Sequence, residues 1–310
     1  MIYTLTINPA IDMNVTTTDL VFGKVNRTKD AVYSENGKGI NVSKVLKHFG
    51  IESGIIGFFG GFSGDFIVDT CRKNGYKVCD IKTDGITRIN VFVNVNGREC
   101  KLVNNGPLIN PAKQEELLDL LQNLNDMDIL VVSGSLAAGI DDSYYDRILS
   151  LCKEKNAKVI LDISAHKLKD LLSYQPMLIK PNDEEIKEIF GYDISDEKSA
   201  VYALRQLNEM GARNILMTMG ERGSYFYNGC DIYFCEAYPI RLKSSACAGD
   251  ACLGAFLSIW LANPENIESA MKLASATGAN VATSTQQHKE CRILRNSGPY
   301  PLRHLSSENH

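Results

Sequence analysis

The chain has 310 residues, enough for one large α/β domain or two small ones, and its 44% apolar and 23% charged residues are typical of a globular protein. The net charge of −4 gives no electrostatic basis for nucleic acid or an anionic membrane as a partner. No segment approaches the roughly 18 apolar residues of a membrane span, and the first residues lack the features of a signal peptide, so we expect a cytoplasmic domain of enzyme size.

The nine cysteines form no CxxC pair, and the five histidines do not cluster near them. An odd number of scattered cysteines favours buried, reduced thiols over a disulfide framework or a zinc site.

The N-terminal third contains extended segments. Residues 23–34 have an extended pattern, and residues 88–104 alternate polar and apolar side chains around Asn96-Gly97, which predicts a β-hairpin. The apolar positions of this hairpin, Val91, Val93 and Val95, require cover. A lid over a site, a dimer contact and a place in the main sheet all remain open.

The C-terminal two thirds alternate apolar strand patterns with helical ones. Residues 142–156 place apolar side chains on one helical face, and strands are predicted at 128–134, 157–164, 177–182 and 213–220. This βαβα order predicts a doubly wound, mostly parallel sheet flanked by helices, with ligands beyond the carboxyl ends of the strands. About the last 20 residues have the character of a loosely ordered tail.

A glycine-rich segment, ENGKGINVSKVL, spans residues 35–46. Gly37 and Gly39 permit close backbone approach, while Lys38 and Asn41 supply donors for phosphate or sugar hydroxyls. It is not a Walker A loop, and taken alone an ordinary glycine-rich turn capping a helix is the favoured interpretation.

Asn182 and Glu185 lie three residues apart after a predicted strand, in IKPNDEEI. This spacing can hold Mg²⁺ through its waters, but an Asn cap with a Glu partner in a capping box is the simpler interpretation. The loops at 134–139 and 218–224 suit nucleotide phosphates, although strand-end turns of small residues are common.

The segment SSACAGDACLGAFL at 244–257 places Asp250 in the first turn of an apolar helix. The unpaired amides of such a turn can hold a developing anion, and Asp250 can accept a proton from a nearby hydroxyl. A first-turn acid favoured by the helix dipole is the alternative.

Together and in this order, these segments resemble the ribokinase-like PfkB carbohydrate kinases, in their phosphohexose branch of 1-phosphofructokinases and tagatose-6-phosphate kinases. The resemblance covers residues 2 to about 283. It is carried by TLTINPAID (4–12), VNR (25–27), NGKGINVSKVL (36–46), GFFGGFSGDFI (57–67), TRINV (87–91), SGSLAAGI (133–140), KPNDEE (180–185), MGERGS (219–224) and AGDACLGAFL (248–257).

The resemblance implies a single kinase domain over residues 1–310, with a small β-lid formed by about 10–34 and 87–104. It also implies ATP and Mg²⁺ as cofactors, and a homodimer through the β-lid. The expected substrate is fructose 1-phosphate, fructose 6-phosphate or tagatose 6-phosphate.

The resemblance also assigns roles to residues by position. Asp250 is similar to the base of the family, and the turn of Cys247, Ala248 and Gly249 to its anion hole. The sugar phosphate would be bound by Asp12, Arg27, Gly37, Lys38, Gly39, Asn41 and Arg88. The nucleotide side would comprise Lys180, Asn182, Thr218, Gly220, Gly223 and Asn280, with Asn182 and Glu185 linked to Mg²⁺.

Two positions depart from the family pattern at the site. Cys247 replaces the first glycine of Gly-Ala-Gly-Asp, which costs on the order of 1 kcal/mol if the position requires a positive φ. The expected consequence is a less preorganised anion hole, with Lys38 or Lys243 compensating. Asn36 also replaces a glycine, and this replacement is mild because asparagine tolerates the left-handed region. Segment 99–107 departs from the polar pattern of the family near the sugar, so the identity of the substrate stays open.

Two other functions remain open. A kinase of an unphosphorylated sugar or nucleoside is disfavoured because Arg27, Lys38 and Arg88 would lack an anionic partner. A sugar-phosphate-binding regulator with weakened catalysis is indicated only by Cys247, against an intact Asp250.

Overall fold

The computed structural model describes residues 1–241, 246–283 and 302–305. The main sheet has ten strands in the order β14-β13-β12-β11-β10-β9-β8-β1-β4-β5. Neighbours from β11 to β5 pair in parallel, and β12, β13 and β14 add an antiparallel edge. These strands are β1 Ile2–Thr6, β4 Ser53–Gly60, β5 Lys77–Thr83, β8 Ile129–Ser133, β9 Lys158–Asp162, β10 Leu178–Ile179, β11 Ile215–Thr218, β12 Ser224–Tyr227, β13 Ile232–Cys235 and β14 Leu302–Leu305.

Helices cover both faces of this sheet, because alternate residues of its central strands point to opposite sides. Leu130 and Val132 of β8 join one core with α3, α4, α5 and α7, while Val131 joins a second core with α1, α8 and α9. The helices are α1 Lys38–His48, α2 Gly61–Lys73, α3 Pro111–Asn123, α4 Ser143–Glu154, α5 Leu168–Leu171, α6 Asp183–Glu185, α7 Glu197–Glu209, α8 Ala248–Trp260 and α9 Ile267–Thr283.

A separate four-stranded sheet has the order β3-β2-β6-β7. Its strands are β2 Ala10–Thr17, β3 Lys29–Asn36, β6 Arg88–Val95 and β7 Arg98–Leu102. The predicted hairpin is present as β6 and β7, with Asn96 and Gly97 in the left-handed conformation at the turn. This hairpin therefore does not belong to the main sheet.

The predicted α/β fold, with a doubly wound and mostly parallel sheet, is confirmed. Two local predictions need correction. Residues 23–28 of the segment predicted to be extended lie in a loop, where Gly23 has a positive φ. The strand begins at Lys29 and runs beyond the predicted segment to Asn36. The tail prediction is wrong at Leu302–Leu305, since backbone pairing with the open edge of β13 orders these residues.

The helices of the described ranges include none of the length and apolar character that a membrane crossing requires. The eight cysteines in the same ranges are all free thiols.

Candidate active site

The carboxyl ends of the central strands meet the N-terminal ends of α1 and α8. β8 ends at Ser133 and β9 at Asp162, while α1 begins at Lys38 and α8 at Ala248. Parallel strands place all their carboxyl ends at one edge, which is where doubly wound sheets bind ligands. The four-stranded sheet lies over this edge through Arg88, which donates hydrogen bonds to the carbonyl oxygens of Asn8 (2.9 Å) and Pro9 (3.4 Å).

Asp250 is buried in the first turn of α8. Asn41 of α1 donates a hydrogen bond to Asp250 Oδ2 at 2.8 Å, and within the described residues Oδ1 accepts none. Burial, reinforced by the charge of Asp162, raises the pKa of Asp250 to about 6, while the bond from Asn41 acts in the opposite direction. A carboxylate of this pKa is ionised at neutral pH and is a stronger base than an exposed aspartate, as a general base requires.

Asp162, which the sequence analysis did not select, is the buried anion at the centre of the site. Its Oδ1 accepts from Lys38 Nζ at 3.2 Å and from Lys180 Nζ at 3.1 Å, and its Oδ2 has no partner within the described residues. Burial would raise the pKa of Asp162, but the charges of Lys180 and Lys38 outweigh it and lower that pKa. The available signal was its position as the last residue of a buried strand.

Lys180 lies beside the turn that begins α8. Burial disfavours its charged form, but Asp162 and Asp250 outweigh that effect and raise the pKa of Lys180 above its ordinary value. Its Nζ is 3.4 Å from the point where a Cβ on Gly249 would stand. Lys180 is therefore a cation close to the amides of the turn. Lys38, one of the two cations expected to compensate for Cys247, pairs with the same carboxylate oxygen of Asp162, and its charge also lowers the pKa of Asp250. Lys243, the other, lies outside the described residues.

Cys247 adopts the left-handed conformation, with φ 61° and ψ −1°, at the N-cap of α8. The position therefore takes the positive φ that glycine adopts without strain. The amides of Ala248, Gly249 and Asp250 have no acceptors within the helix, as the first turn of any helix dictates. They form the element that the resemblance identifies as an anion hole.

Replacing Cys247 by glycine should stabilise the protein by about 0.5–1 kcal/mol, because the strain of a Cβ at positive φ exceeds glycine's added entropy in the unfolded chain. We also expect kcat to rise about two- to five-fold as the turn relaxes. Denaturant unfolding and steady-state kinetics measure both. Unchanged turnover and nucleotide affinity would exclude a cost of Cys247 to the anion hole.

A cavity of about 300 Å³ lies between Arg88 and the strand ends. Two cations, Lys38 and Arg88, share its wall with Asp142 and with small hydroxyl residues. Two buried oxygens of the wall, Asn8 Oδ1 and Ser133 Oγ, have no hydrogen-bond partner within the described residues. Burial lowers the pKa of Arg88, although its guanidinium stays charged at neutral pH and the charge of Asp12 favours that form. This cavity suits a small anionic, polar ligand.

Asp12 is fully buried on β2 and accepts from two amides. Asn90 Nδ2 donates to its Oδ1 at 2.9 Å, and Asn36 Nδ2 donates to its Oδ2. Gly37 and Gly39 press against β1, since added Cβ atoms would stand 2.5 Å and 2.7 Å from side-chain atoms of Thr6. The glycine requirement of this segment therefore comes first from packing on β1.

Asn182 and Glu185 form a capping box at the start of α6. Asn182 Oδ1 accepts from the Glu185 amide at 2.7 Å, and Glu185 Oε2 accepts from the Asn182 amide at 2.9 Å. Ser164 donates to Glu185 Oε1. No group of three or more His, Cys, Asp or Glu side chains suited to a metal occurs in the ranges described.

Asn182 and Glu185 fit Mg²⁺ only if the ion is bound mainly by water and by phosphate. An ion that keeps most of its waters and is carried by nucleotide phosphates needs one carboxylate from the protein, and Glu185 provides it. A resident, fully protein-coordinated ion does not fit these residues.

The residues assigned to the nucleotide side lie along neighbouring strand ends. Thr218 at the end of β11 forms a parallel bridge with Asn182, and Gly220 and Gly223, both at positive φ, frame the turn into β12. Asn280 lies on α9, two residues after Gly278. A Cβ added to Gly278 would stand 3.2 Å from the carbonyl oxygen of Ala248. α9 thus runs close to the start of α8.

Of the residues assigned to the sugar phosphate, Gly37, Lys38 and Arg88 line the cavity, whereas Asp12, Gly39, Asn41 and Arg27 do not. Arg27 differs from the others because it is exposed, in the loop between β2 and β3. Its part in phosphate binding stays a prediction.

Known proteins are similar to this chain over most of its length. Residues 2–290 match the model of the pfkB family of carbohydrate kinases. Relatives include D-tagatose-1-phosphate kinases from Klebsiella oxytoca (47% identity over 92% of this chain and 93% of that protein) and Bacillus licheniformis (35%, 98% and 100%). The 1-phosphofructokinase of Bacillus subtilis is 33% identical, with 92% of this chain and 94% of that protein covered.

Solved structures show the same fold. Phosphofructokinase-2 from Escherichia coli in complex with fructose-6-phosphate superposes with a TM-score of 0.83 at 24% identity, covering 91% of this chain and 93% of that one. The resemblance and the kinase activity predicted from the sequence are confirmed. The chain belongs to the pfkB family of carbohydrate kinases.

Proposed function

We propose that this kinase transfers the γ-phosphoryl group of ATP to the free 6-hydroxyl of a ketohexose 1-phosphate, with D-tagatose 1-phosphate as preferred substrate. The observation that carries the proposal is the cavity lined by Lys38 and Arg88, with Lys38 close enough to Asp250 for its charge to lower the pKa of that carboxyl. Two cations on a small polar cavity match a phosphate that the sugar already carries. The substrate choice is supported by the 47% identical relative named for D-tagatose 1-phosphate, a substrate that the sequence analysis did not include.

The reaction follows from the placement of these groups. Asp250 Oδ1 accepts the proton of the sugar hydroxyl as its oxygen forms a bond to the γ-phosphorus. The bond from that phosphorus to the β–γ bridging oxygen breaks, and ADP leaves. Charge on the transferred group is stabilised by the amides of Ala248, Gly249 and Asp250 and by Lys180 beside them.

Mg²⁺, when bound with ATP, neutralises phosphate charge. Glu185 would hold it through water, while Asn182 keeps Glu185 in place through the capping box. Lys180, Thr218, Gly220, Gly223 and Asn280 would line the nucleotide side.

The four-stranded sheet acts in this proposal as a lid and as the contact between two copies of the chain. The fold covers Val91, Val93 and Val95 of this sheet at least in part, so they are not its exposed apolar residues. Instead Phe22 is 96% exposed and Val25 86%, on the loop between β2 and β3. A second copy would cover them. A strictly monomeric protein in analytical ultracentrifugation would contradict the dimer.

The cytoplasm is the expected location, because free thiols persist in a reducing compartment and ATP is supplied there.

The proposal is tested by ADP formation with D-tagatose 1-phosphate, D-fructose 1-phosphate, the two 6-phosphates, and unphosphorylated D-tagatose and D-fructose. We expect the highest kcat/KM for D-tagatose 1-phosphate and a loss of at least about 10²-fold without the phosphate, since the two cations of the cavity would then face a neutral ligand. Preference for an unphosphorylated sugar would overturn the proposal. Tight binding of a sugar phosphate without turnover would favour a regulator instead.

A further inference from the structure

A continuous series of side-chain hydrogen bonds joins Asp12 to Asp250. Asn36 Nδ2 donates to Asp12 Oδ2, and Asn36 Oδ1 accepts from Asn41 Nδ2 at 2.7 Å. Asn41 Nδ2 also donates to Asp250 Oδ2 at 2.8 Å. The series crosses from β2 through β3 and α1 to α8, so it connects four elements of the site.

The orientation of the Asn36 amide is fixed by groups that have only one possible role. The Gly37 amide can only donate, and it bonds to Asn36 Oδ1 at 2.7 Å. On the other side of the amide, Asp12 Oδ2 accepts from Asn36 Nδ2. Turning the amide over would place oxygen against carboxylate and NH₂ against N–H, so Asn36 Oδ1 must face Asn41.

This orientation in turn fixes Asn41. Both N–H groups of its Nδ2 are used, one toward Asn36 Oδ1 and the other toward Asp250 Oδ2. The reversed Asn41 amide would set its oxygen against two acceptors. Cys247 Sγ, 3.3 Å from Asn41 Nδ2, adds only a weak sulfur contact.

The backbone conformation does not explain the asparagine at position 36. It is not among the residues with positive φ, so the tolerance of asparagine for that region does not explain why it replaces glycine. A glycine there would remove one of the two acceptors, Asn36 Oδ1 and Asp250 Oδ2, that hold the Asn41 amide in this orientation.

We propose that Asn36 is a positioning residue of the phosphoryl transfer: it holds the Asn41 amide toward the catalytic base Asp250 and ties that base to Asp12 on the lid. The inference rests on the proposed function for the role of Asp250. It assigns to Asn36, one of the departures from the family pattern, the control of how well Asp250 ionises.

The test is Asn36→Gly, with two readouts. We expect kcat to fall about five- to twenty-fold, more than the KM for the sugar phosphate changes, because a single orienting hydrogen bond is lost. The acid limb of the kcat profile should move to higher pH by about half a pH unit or more, since the bond from Asn41 lowers the pKa of Asp250. The other charged groups near Asp250, namely Asp162, Lys38 and Lys180, are unchanged in the variant.

The second readout is independent of turnover. ¹³C NMR of the Asp250 carboxyl, assigned by its absence in Asp250→Asn, reports the titration without substrate. A shift to higher pH supports the inference, and an unmoved titration overturns it. If no sugar is phosphorylated by the unmodified enzyme, the proposed function fails while this readout still decides the role of Asn36.

The matched control is Ser34→Gly on the same strand, whose hydroxyl donates at 3.4 Å to a backbone acceptor, the Asp12 carbonyl oxygen, which is not part of the side-chain series. It should leave the acid limb and the Asp250 titration in place. If it moves them as far as Asn36→Gly does, the effect comes from a loosened strand and the inference is overturned. If Asn36→Gly does not fold, Asn36→Ala tests the same inference, because it keeps a Cβ and still lacks the side-chain amide.

Discussion

Asp250→Asn should lower kcat by about 10³-fold while the protein stays folded, because the variant keeps the shape of the side chain and removes only its basicity. Asn41 can still donate to the new amide oxygen, as it does to Asp250 Oδ2. Binding of ATP and the sugar phosphate should change little, since Lys38, Arg88 and Lys180 are untouched. Rapid-quench or coupled assays at saturating substrates measure the loss.

The same variant should be more stable than the unmodified protein at pH 7.5. Burial raises the pKa of Asp250 from 3.8 to about 6, so its ionised form is disfavoured in the folded state. The stability that protonation of Asp250 adds is full below about pH 4 and is lost as the pH rises through about 6. The neutral amide of the variant removes this loss, so denaturant unfolding should show no gain below about pH 4, a gain that grows between about pH 4 and 6, and a constant gain at higher pH.

The control is Glu268→Gln, which neutralises an exposed first-turn acid of α9. It reports the helix-dipole effect together with the loss of an exposed pair with Lys272, each worth typically less than about 1 kcal/mol, without touching the site. Equal and small losses of activity in the two variants would make Asp250 an ordinary first-turn acid and would contradict its role as base.

Asp162→Asn should destabilise the fold by about 3–5 kcal/mol, because it leaves the buried ammonium of Lys180 without its main counter-ion. Lys180 and Asp162 are 6% and 1% exposed, so water cannot replace the lost partner. We expect kcat to fall as well, since the positions of Lys38 and Lys180 depend on the same carboxylate oxygen. Urea unfolding gives the stability change.

The double variant Asp162→Asn/Lys180→Met separates charge from packing. Removing the unpaired cation should recover a large part of the lost stability, although not the activity. A single variant that costs less than about 1 kcal/mol would show that Asp250 alone compensates Lys180, and the central role of Asp162 would be wrong.

The fold was predictable because its strands and turns have local signals. The buried strands β8, β9 and β11 appear as apolar runs, and Asn96-Gly97 marks the hairpin. β14 was not predictable, since nothing within its four residues shows that the edge of β13 lies open beside it. Pairing with a distant edge is a tertiary effect.

The site was predictable where a motif marks it. Asp250, Lys38 and Asn41 were selected from local segments, and the structure brings them within reach of one another. Asp162 ends a strand without a recognisable motif, and its lysine partners are distant in sequence. Asn36 lies in the segment NGKGINVSKVL, but its partner Asp12 is distant in sequence, so only the loss of a glycine could be recognised there. The positive φ of Cys247 was likewise not predictable, because the sequence does not determine which residues of a turn take positive φ.

The most direct measurement is ³¹P NMR of the products formed from D-tagatose 1-phosphate, ATP and Mg²⁺. The proposed function predicts ADP and a second phosphate monoester on C6 in equal amounts, with neither formed by Asp250→Asn. ADP accompanied by inorganic phosphate alone, or new phosphate on a hydroxyl other than C6, would contradict a kinase that directs the 6-hydroxyl to Asp250.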